Sequence, residues 1–373
     1  MELPNCETVE AEAFCNCYNL SEVTLPVCTT LSTGAFSGCS NLTGVSLNTI
    51  ASLPNAVFSG CSNLTSIYIP AIQYIGDYTF CKCGISSLSL SSVQLSDNAF
   101  AICSNLSSVN LIDCSIGSSV FRNCSRLTAI SLTNCNINYR AFIECSNLRT
   151  IQWSSCTLAG SEIFAWCYNL SQVLDVPILN NSIPSGIFNN CYSLNSVTFA
   201  PDNTVTDIGY AAFSECHSFL TIPWPSVKTF ESSCFANCYD LKIPNSYFKS
   251  CISIGNYAFL GCKSLITELD APNLTYIGDY AFYSCSTLSS FSLPNCSYIG
   301  NNAFEGANFE SINILHYLYS VGGFANNKRL KAAKFESVNQ FTSSTFYGCS
   351  QLESVYIFTS NIPNIYYGTG WYG

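Results

Sequence analysis

Val57-Phe58-Ser59-Gly60-Cys61-Ser62-Asn63-Leu64-Thr65-Ser66-Ile67-Tyr68-Ile69-Pro70 repeats, almost residue for residue, a stretch that has just passed: Ala35-Phe36-Ser37-Gly38-Cys39-Ser40-Asn41-Leu42-Thr43-Gly44-Val45-Ser46-Leu47. The shared unit is A-F-x-x-C-x-x-L-x-x-I-x-L-P. A variable stretch follows, often I-G-x-x-A-F, which opens the next copy. Phenylalanine marks each copy: Phe14, Phe36, Phe58, Phe80, Phe100, Phe121, Phe142, Phe164, Phe188, Phe213, Phe235, Phe259, Phe282, Phe304, Phe324 and Phe346. Cysteine stands three residues after it everywhere except at Ala307 and Asn327. Self-similarity at a period of 20–50 residues is the signature of a solenoid, and sixteen anchors predict about sixteen turns.

Each part of the unit has a structural reading. L-x-x-I-x-L ends in apolar–polar alternation, the period of a short strand. Proline closes it at Pro26, Pro70, Pro177, Pro272 and Pro294, where its missing N–H ends a ladder. One strand per turn, always in the same direction, predicts a parallel sheet along one face. The A-F-x-x-C segment opposite it reads as turns or short helices. One turn cannot bury its own Phe, Leu and Ile, but stacked turns bury them as a shared core. The expected fold is therefore an α/β repeat solenoid over roughly residues 10–358. The whole of 1–373 reads as one domain. Residues 359–373, with the aromatic run Ile365-Tyr366-Tyr367 and Trp371-Tyr372, read as a cap or the start of a further turn. The stretch around Ile243–Ile254 departs from the pattern as one compressed turn.

These residues closely resemble the BspA-like, Treponema pallidum-type leucine-rich repeat. Ile75-Gly76-Asp77-Tyr78-Thr79-Phe80, Ile277-Gly278-Asp279-Tyr280-Ala281-Phe282 and Ile299-Gly300-Asn301-Asn302-Ala303-Phe304 carry the likeness. The resemblance implies a right-handed leucine-rich-repeat solenoid, a cell-surface or secreted location and, in some members, adhesion to host matrix proteins. It implies no common catalytic site.

Composition narrows the function. The chain has 373 residues, of which only 10% are charged, and a net charge of −10 with 13 Lys and Arg. Nucleic-acid binding needs a basic footprint. The one basic cluster, Lys328, Arg329, Lys331 and Lys334, reads as the solvated edge of a repeat. No apolar run reaches the length of a membrane span, and the start Met1-Glu2-Leu3-Pro4 has neither region of a signal peptide. The chain reads as a fragment of a longer protein.

Of the 24 cysteines, fourteen form the ladder after Phe. Cys28, Cys114, Cys135, Cys156 and Cys296 form a partial second ladder past the strand, at a place held elsewhere by Ile50, Ile72 and Val93. Exchange with Ile and Val marks the place as apolar, so buried free thiols used as small hydrophobes are expected. In-register neighbours sit about 4.8 Å apart, wider than the roughly 3.8 Å a disulfide prefers between Cβ atoms. The paired C-x-x-C knuckles of a zinc site are missing, so no metal or cofactor is expected.

Chemistry is equally thin. His217 and His316 lie turns apart; His217 follows Cys216 and reads as a loop histidine beside a structural thiol. Gly368-Thr369-Gly370-Trp371-Tyr372-Gly373 fits G-x-G-x-x-G without the strand and helix that give the motif meaning. Nine N-x-S/T sequons, at Asn19, Asn41, Asn63, Asn105, Asn123, Asn169, Asn180, Asn273 and Asn295, read mainly as products of the repeat consensus. The expected working surface is the outward side of the sheet, low in charge and rich in hydroxyls. On it Tyr68, Asn110, Gln152, Asp175, Asp270, Lys334 and Tyr356 are the candidate partner contacts, Tyr68 and Tyr356 foremost. The reading is a non-catalytic, monomeric adhesin or protein-binding module for an extracellular or surface protein such as a host matrix protein or glycoprotein. Its rivals are a structural spacer or fibre segment of a surface or virion assembly, and a recognition domain of an enzyme lying outside this chain.

Overall fold

The structure, a computed structural model, describes residues 1–47, 49–177, 180–199 and 204–358 and the backbone of the strand Asn364–Ile365. The G-x-G-x-x-G match and the rest of the C-terminal aromatic run lie outside the described residues. The chain divides into two compact units, Met1–Pro177 and Ile178–Gly373, each a parallel-strand solenoid with eight of the Phe anchors.

In the first unit the predicted strands form. Ser87–Ser91, Ser108–Ile112, Ala129–Thr133 and Thr150–Ser154 make a four-stranded parallel sheet. Glu22–Thr24, Gly44–Ser46 and Ser66–Tyr68 make a three-stranded one. Alternation sets the two sides: Val109 and Leu111 point into the core while Ser108, Asn110 and Ile112 are exposed. The sequence predicted one strand per turn, and the structure has a second, shorter one. Two-residue strands from the I-G segment, such as Tyr74–Ile75, Gln94–Leu95 and Ser115–Ile116, join in a six-stranded parallel sheet. Its glycines are set by close approach. A Cβ on Gly76 would lie 2.8 Å from the Pro54 carbonyl carbon and 2.9 Å from the Asn55 nitrogen of the preceding turn.

Of the two alternatives for the A-F-x-x-C segment, the chain takes turns. The residue before each ladder position has a positive φ in all sixteen turns, from Asn16 (59°) and Gly38 (76°) to Asn326 (56°) and Gly348 (72°). Left-handed backbone of this kind suits Gly and Asn and precludes a helix. The turns are laced together. The Phe N–H donates to the carbonyl just before the next Phe, as in Phe36 to Val57 (2.9 Å) and Phe121 to Ala141 (2.8 Å). The Phe rings stack offset, 5.1 Å apart and 3° from parallel for Phe14 and Phe36, and 5.1 Å and 10° for Phe121 and Phe142. Such pairs add to what burial already contributes.

The second unit keeps this lacing while its strand side loosens. Nine two-residue strands from Ser182–Ile183 to Asn364–Ile365 form one parallel sheet. Among the described residues the longer strands are Glu268–Asp270 with Ser290–Ser292, Ser311–Leu318 with Ala332–Val338 and Ser354–Ile357, and Ser196–Phe199. No strand forms at residues 220–224 or 241–244, where Pro223, Pro225 and Pro244 withhold ladder donors. The compressed turn predicted near Ile243–Ile254 holds a 3-10 helix, Asn245–Ser250, which buries Phe248.

Candidate binding face

Most of the cysteines and both histidines are built into the scaffold. All 24 cysteines are free, and only Cys6, Cys15 and Cys17 are not buried. Sequence reasoning treated the ladder cysteines as small hydrophobes, and the structure adds a second role. Twelve of the fourteen ladder thiols donate to the Phe carbonyl of the preceding turn, among them Cys39 to Phe14 (3.0 Å), Cys61 to Phe36 (3.2 Å), Cys145 to Phe121 (3.1 Å) and Cys238 to Phe213 (3.1 Å). Asn327, an exception to the Cys consensus, does the same with its amide, reaching the Phe304 carbonyl at 2.9 Å. The place therefore suits a small buried donor, which Ala307 alone among the ladder residues lacks. Burial pushes these thiols up, to about 12 at Cys61 and Cys103, away from the thiolate a nucleophile needs.

The histidines are likewise committed. His217 lies between the rings of Tyr192 and Tyr239, 4.8 Å from each, and its Nε2 meets Glu215 at 2.9 Å. Cys216 beside it is buried and bonded to the Phe188 carbonyl, so the two form no dyad. His316 Nε2 meets the Cys296 carbonyl at 2.6 Å. The sequon asparagines also serve the stack: Asn63 Nδ2 donates to Asn41 Oδ1 (3.3 Å) and Asn169 Nδ2 to Asn147 Oδ1 (3.0 Å).

What remains available is the outward side of the sheets. Strand register puts Ser89, Asn110, Ser131 and Gln152 in one row, beside the row Ser87, Ser108, Ala129 and Thr150. The two rows line a shallow, uncharged trough of about 440 Å³. Asn110 Nδ2 donates to Ser89 Oγ at 3.4 Å. Thus two of the seven sequence-predicted contacts, Asn110 and Gln152, share a row. Tyr68 stands on the neighbouring three-stranded sheet in register with Ser46, 61% exposed.

In the second unit, register joins Lys334 to Tyr356, and the Lys334 ammonium lies 5.8 Å from the centre of the Tyr356 ring. Sequence reasoning missed the apolar company they keep: Leu315, Tyr317 and Phe358 are 59%, 54% and 63% exposed. The signal was there in the alternation Ile312, Ile314 on one side and Asn313, Leu315 on the other, carried past the end of the consensus strand. The two acidic candidates stand differently. Asp270 is half-buried, paired with Lys249, and its N–H donates to Asn245 Oδ1 at 2.8 Å. Asp175 is exposed but left-handed (φ 52°) at the end of its strand, and Leu174, 49% exposed, precedes it.

The model of the BspA type leucine rich repeat region (6 copies) matches residues 1–107, 70–171, 114–242, 159–273 and 252–369. The chain belongs to the BspA-type leucine-rich repeat family. Among solved structures, this BspA-type chain is similar to a leucine-rich repeat protein from Bacteroides ovatus, at 23% identity over 88% of this chain and 82% of that one, with a TM-score of 0.70. It is also similar to a leucine rich cell surface protein from Faecalibacterium prausnitzii, at 22% identity over 74% and 88%, with a TM-score of 0.46. No curated protein matches. The likeness to the Bacteroides protein bears out the leucine-rich-repeat fold.

Proposed function

We propose that this chain is a non-catalytic binding module that uses the outward side of its sheets to hold an extracellular or cell-surface protein, as an adhesin does. Family membership supports a protein-binding repeat scaffold. The observation that carries the reading is a division of labour. Buried thiols, histidines and several sequon asparagines are consumed in holding turn to turn, while the sheets present exposed side chains in fixed rows. A standard interface needs about 800 Å² per partner, and hot spots favour aromatic anchors ringed by neutral contacts. Tyr356, exposed with the Lys334 ammonium beside its ring, is such an anchor, and Leu315, Tyr317 and Phe358 are exposed in the same sheet region. Tyr68 is a second and more isolated one.

The test is binding of the purified chain to immobilised matrix and mucosal glycoproteins over a concentration series. Saturable binding, weakened about tenfold or more by Tyr356→Ser and less by Tyr68→Ser, is expected. Absence of saturable binding to every protein tried would favour the spacer role.

A further inference from the structure

Hydroxyl groups along the first unit are of two kinds. Those just before the strands are spent on the preceding turn: Ser107 Oγ donates to the Ser86 carbonyl (2.9 Å) and Thr128 Oγ1 to the Ser107 carbonyl (3.2 Å). Those on the strands are not. Among the described residues the side chains of Ser87, Ser108, Ser131, Thr150 and Gln152 make no hydrogen bond to the protein, and Ser89 only accepts from Asn110 at 3.4 Å. Strand register sets these groups in two rows across four turns. The rows run about 6.6 Å apart along the strands, and members of a row stand about 4.8 Å apart from turn to turn. One row, Ser87, Ser108, Ala129 and Thr150, has short side chains, and the other carries the longer amides of Asn110 and Gln152. Together they line the trough of about 440 Å³.

The lining selects a ligand by what it lacks and by what it repeats. None of the eleven lining residues is charged. An anionic polymer calls for Lys or Arg, and a hard cation calls for carboxylates. None is aromatic or Arg either, so the trough has no anchor of the kind protein interfaces use. It offers instead a run of hydroxyls, each a donor and an acceptor, and two amides with both functions. Such groups suit a neutral partner that is itself rich in hydroxyls, because bonds to water are exchanged for equivalent bonds to the ligand. The spacing fits as well, since each ring of an extended pyranose chain advances by about one strand spacing.

We propose that the trough is a binding site for a linear, neutral polysaccharide laid across the strands, with about one sugar ring to each turn over about 14 Å. The serine and threonine hydroxyls bond ring hydroxyls, and the amides of Asn110 and Gln152, two turns apart in one row, each donate to one sugar oxygen and accept from another. Each such bond contributes little by itself, so affinity accumulates along the chain. The site lies within the first unit, uses none of the residues around Tyr356, and does not rest on the protein-binding reading.

The test is calorimetric titration of the whole chain with linear β-1,4-linked oligosaccharides of glucose, mannose and N-acetylglucosamine, from two to six rings long. At least one series is expected to saturate, with affinity rising about tenfold from two rings to four and little thereafter, once the four turns are filled. Ala129→Arg, which puts a long cation in the row of short side chains, should weaken binding at least tenfold. Asn110→Ala combined with Gln152→Ala should do the same, a second route should the first variant fail to fold. Ser290→Arg, at an exposed strand position of the second unit, should leave binding unchanged. Polygalacturonate, a linear acidic polymer, and a released branched glycan of equal size should each bind at least tenfold more weakly. Binding by none of the three series would overturn the assignment. So would binding that survives both trough variants, or equal binding of the acidic or the branched glycan.

Discussion

The stretch from Phe80 to Phe164 and the stretch from Phe213 to Phe259 solve the same problem differently. In the first, Phe recurs every 20–22 residues and every turn carries a five-residue strand. Two inward apolar residues per strand, such as Val109 with Leu111 and Ile130 with Leu132, fill the space over the Phe stack. In the second, spacing reaches 24 residues, prolines interrupt the strand side, and Phe219, Trp224, Phe230 and Phe248 fill the space instead. Yet the turn side is unchanged: Phe213 and Phe235 stack 5.2 Å apart at 7°, and Cys238 still reaches the Phe213 carbonyl. The constant element of the repeat is thus the Phe–Cys lacing. The strands, which carry the proposed binding face, are free to vary over it.

The largest expected effect follows from how many thiols the lacing buries. Their pKa is raised in the fold above the ordinary 9.0. They are therefore neutral when folded at a pH where the unfolded chain has lost those protons. Stability from this source is complete below about pH 9 and is lost as pH climbs toward 12. Each such thiol removes about 1.4 kcal/mol per pH unit in that window. Urea midpoints measured from pH 7 to 10.5 should fall steeply above 9 in both stretches. A flat profile would break the claim that the thiols must stay protonated.

Next is the stack itself. Phe121→Ala in the regular stretch and Phe235→Ala in the irregular one should each cost about 3–5 kcal/mol, because both rings are fully buried between two others. A much smaller loss at Phe235, by denaturant melting, would mean that the irregular stretch rests on its extra aromatics instead. Smaller again is Asn327→Ala, which removes a buried donor to the Phe304, Phe324 and Ala325 carbonyls and should cost about 1–3 kcal/mol. Ala307→Cys should restore the missing donor to the Phe282 carbonyl and raise stability by about 1 kcal/mol. Tyr68→Ser, on the open face, should shift stability by less than about 0.5 kcal/mol, which keeps its effect on binding readable.

The lacing was legible in sequence because it is written at a fixed offset. Sixteen Phe anchors and their Cys partners gave the turn count and the strand direction. The thiol bond to the preceding Phe carbonyl was not legible, since exchange of Cys with Ile and Val at the neighbouring ladder pointed to apolarity alone. The telling residue was Asn327, an amide at a buried ladder place, which makes sense only if the place needs a donor. The second strand per turn was hidden by its length of two residues. On the face, Asn110, Gln152, Lys334 and Tyr356 were found by alternation. Leu315 and Phe358 were missed because the strands there run past the consensus, and the ion pair of Asp270 was hidden because its partner Lys249 comes from the one turn whose path the repeat does not predict.

Amide hydrogen exchange at the Phe anchors tests the central claim most directly. Fourteen of the Phe anchors bond through their N–H to the next turn, as Phe100 does to Val120, Phe213 to Cys234 and Phe235 to Ala258. Protection of Phe213 and Phe235 equal to that of Phe100 and Phe121 is predicted, alongside rapid exchange at Thr221, where no strand forms. Fast exchange at Phe213 and Phe235 would contradict it, and would make the strands, not the Phe–Cys lacing, the element that holds the repeat together.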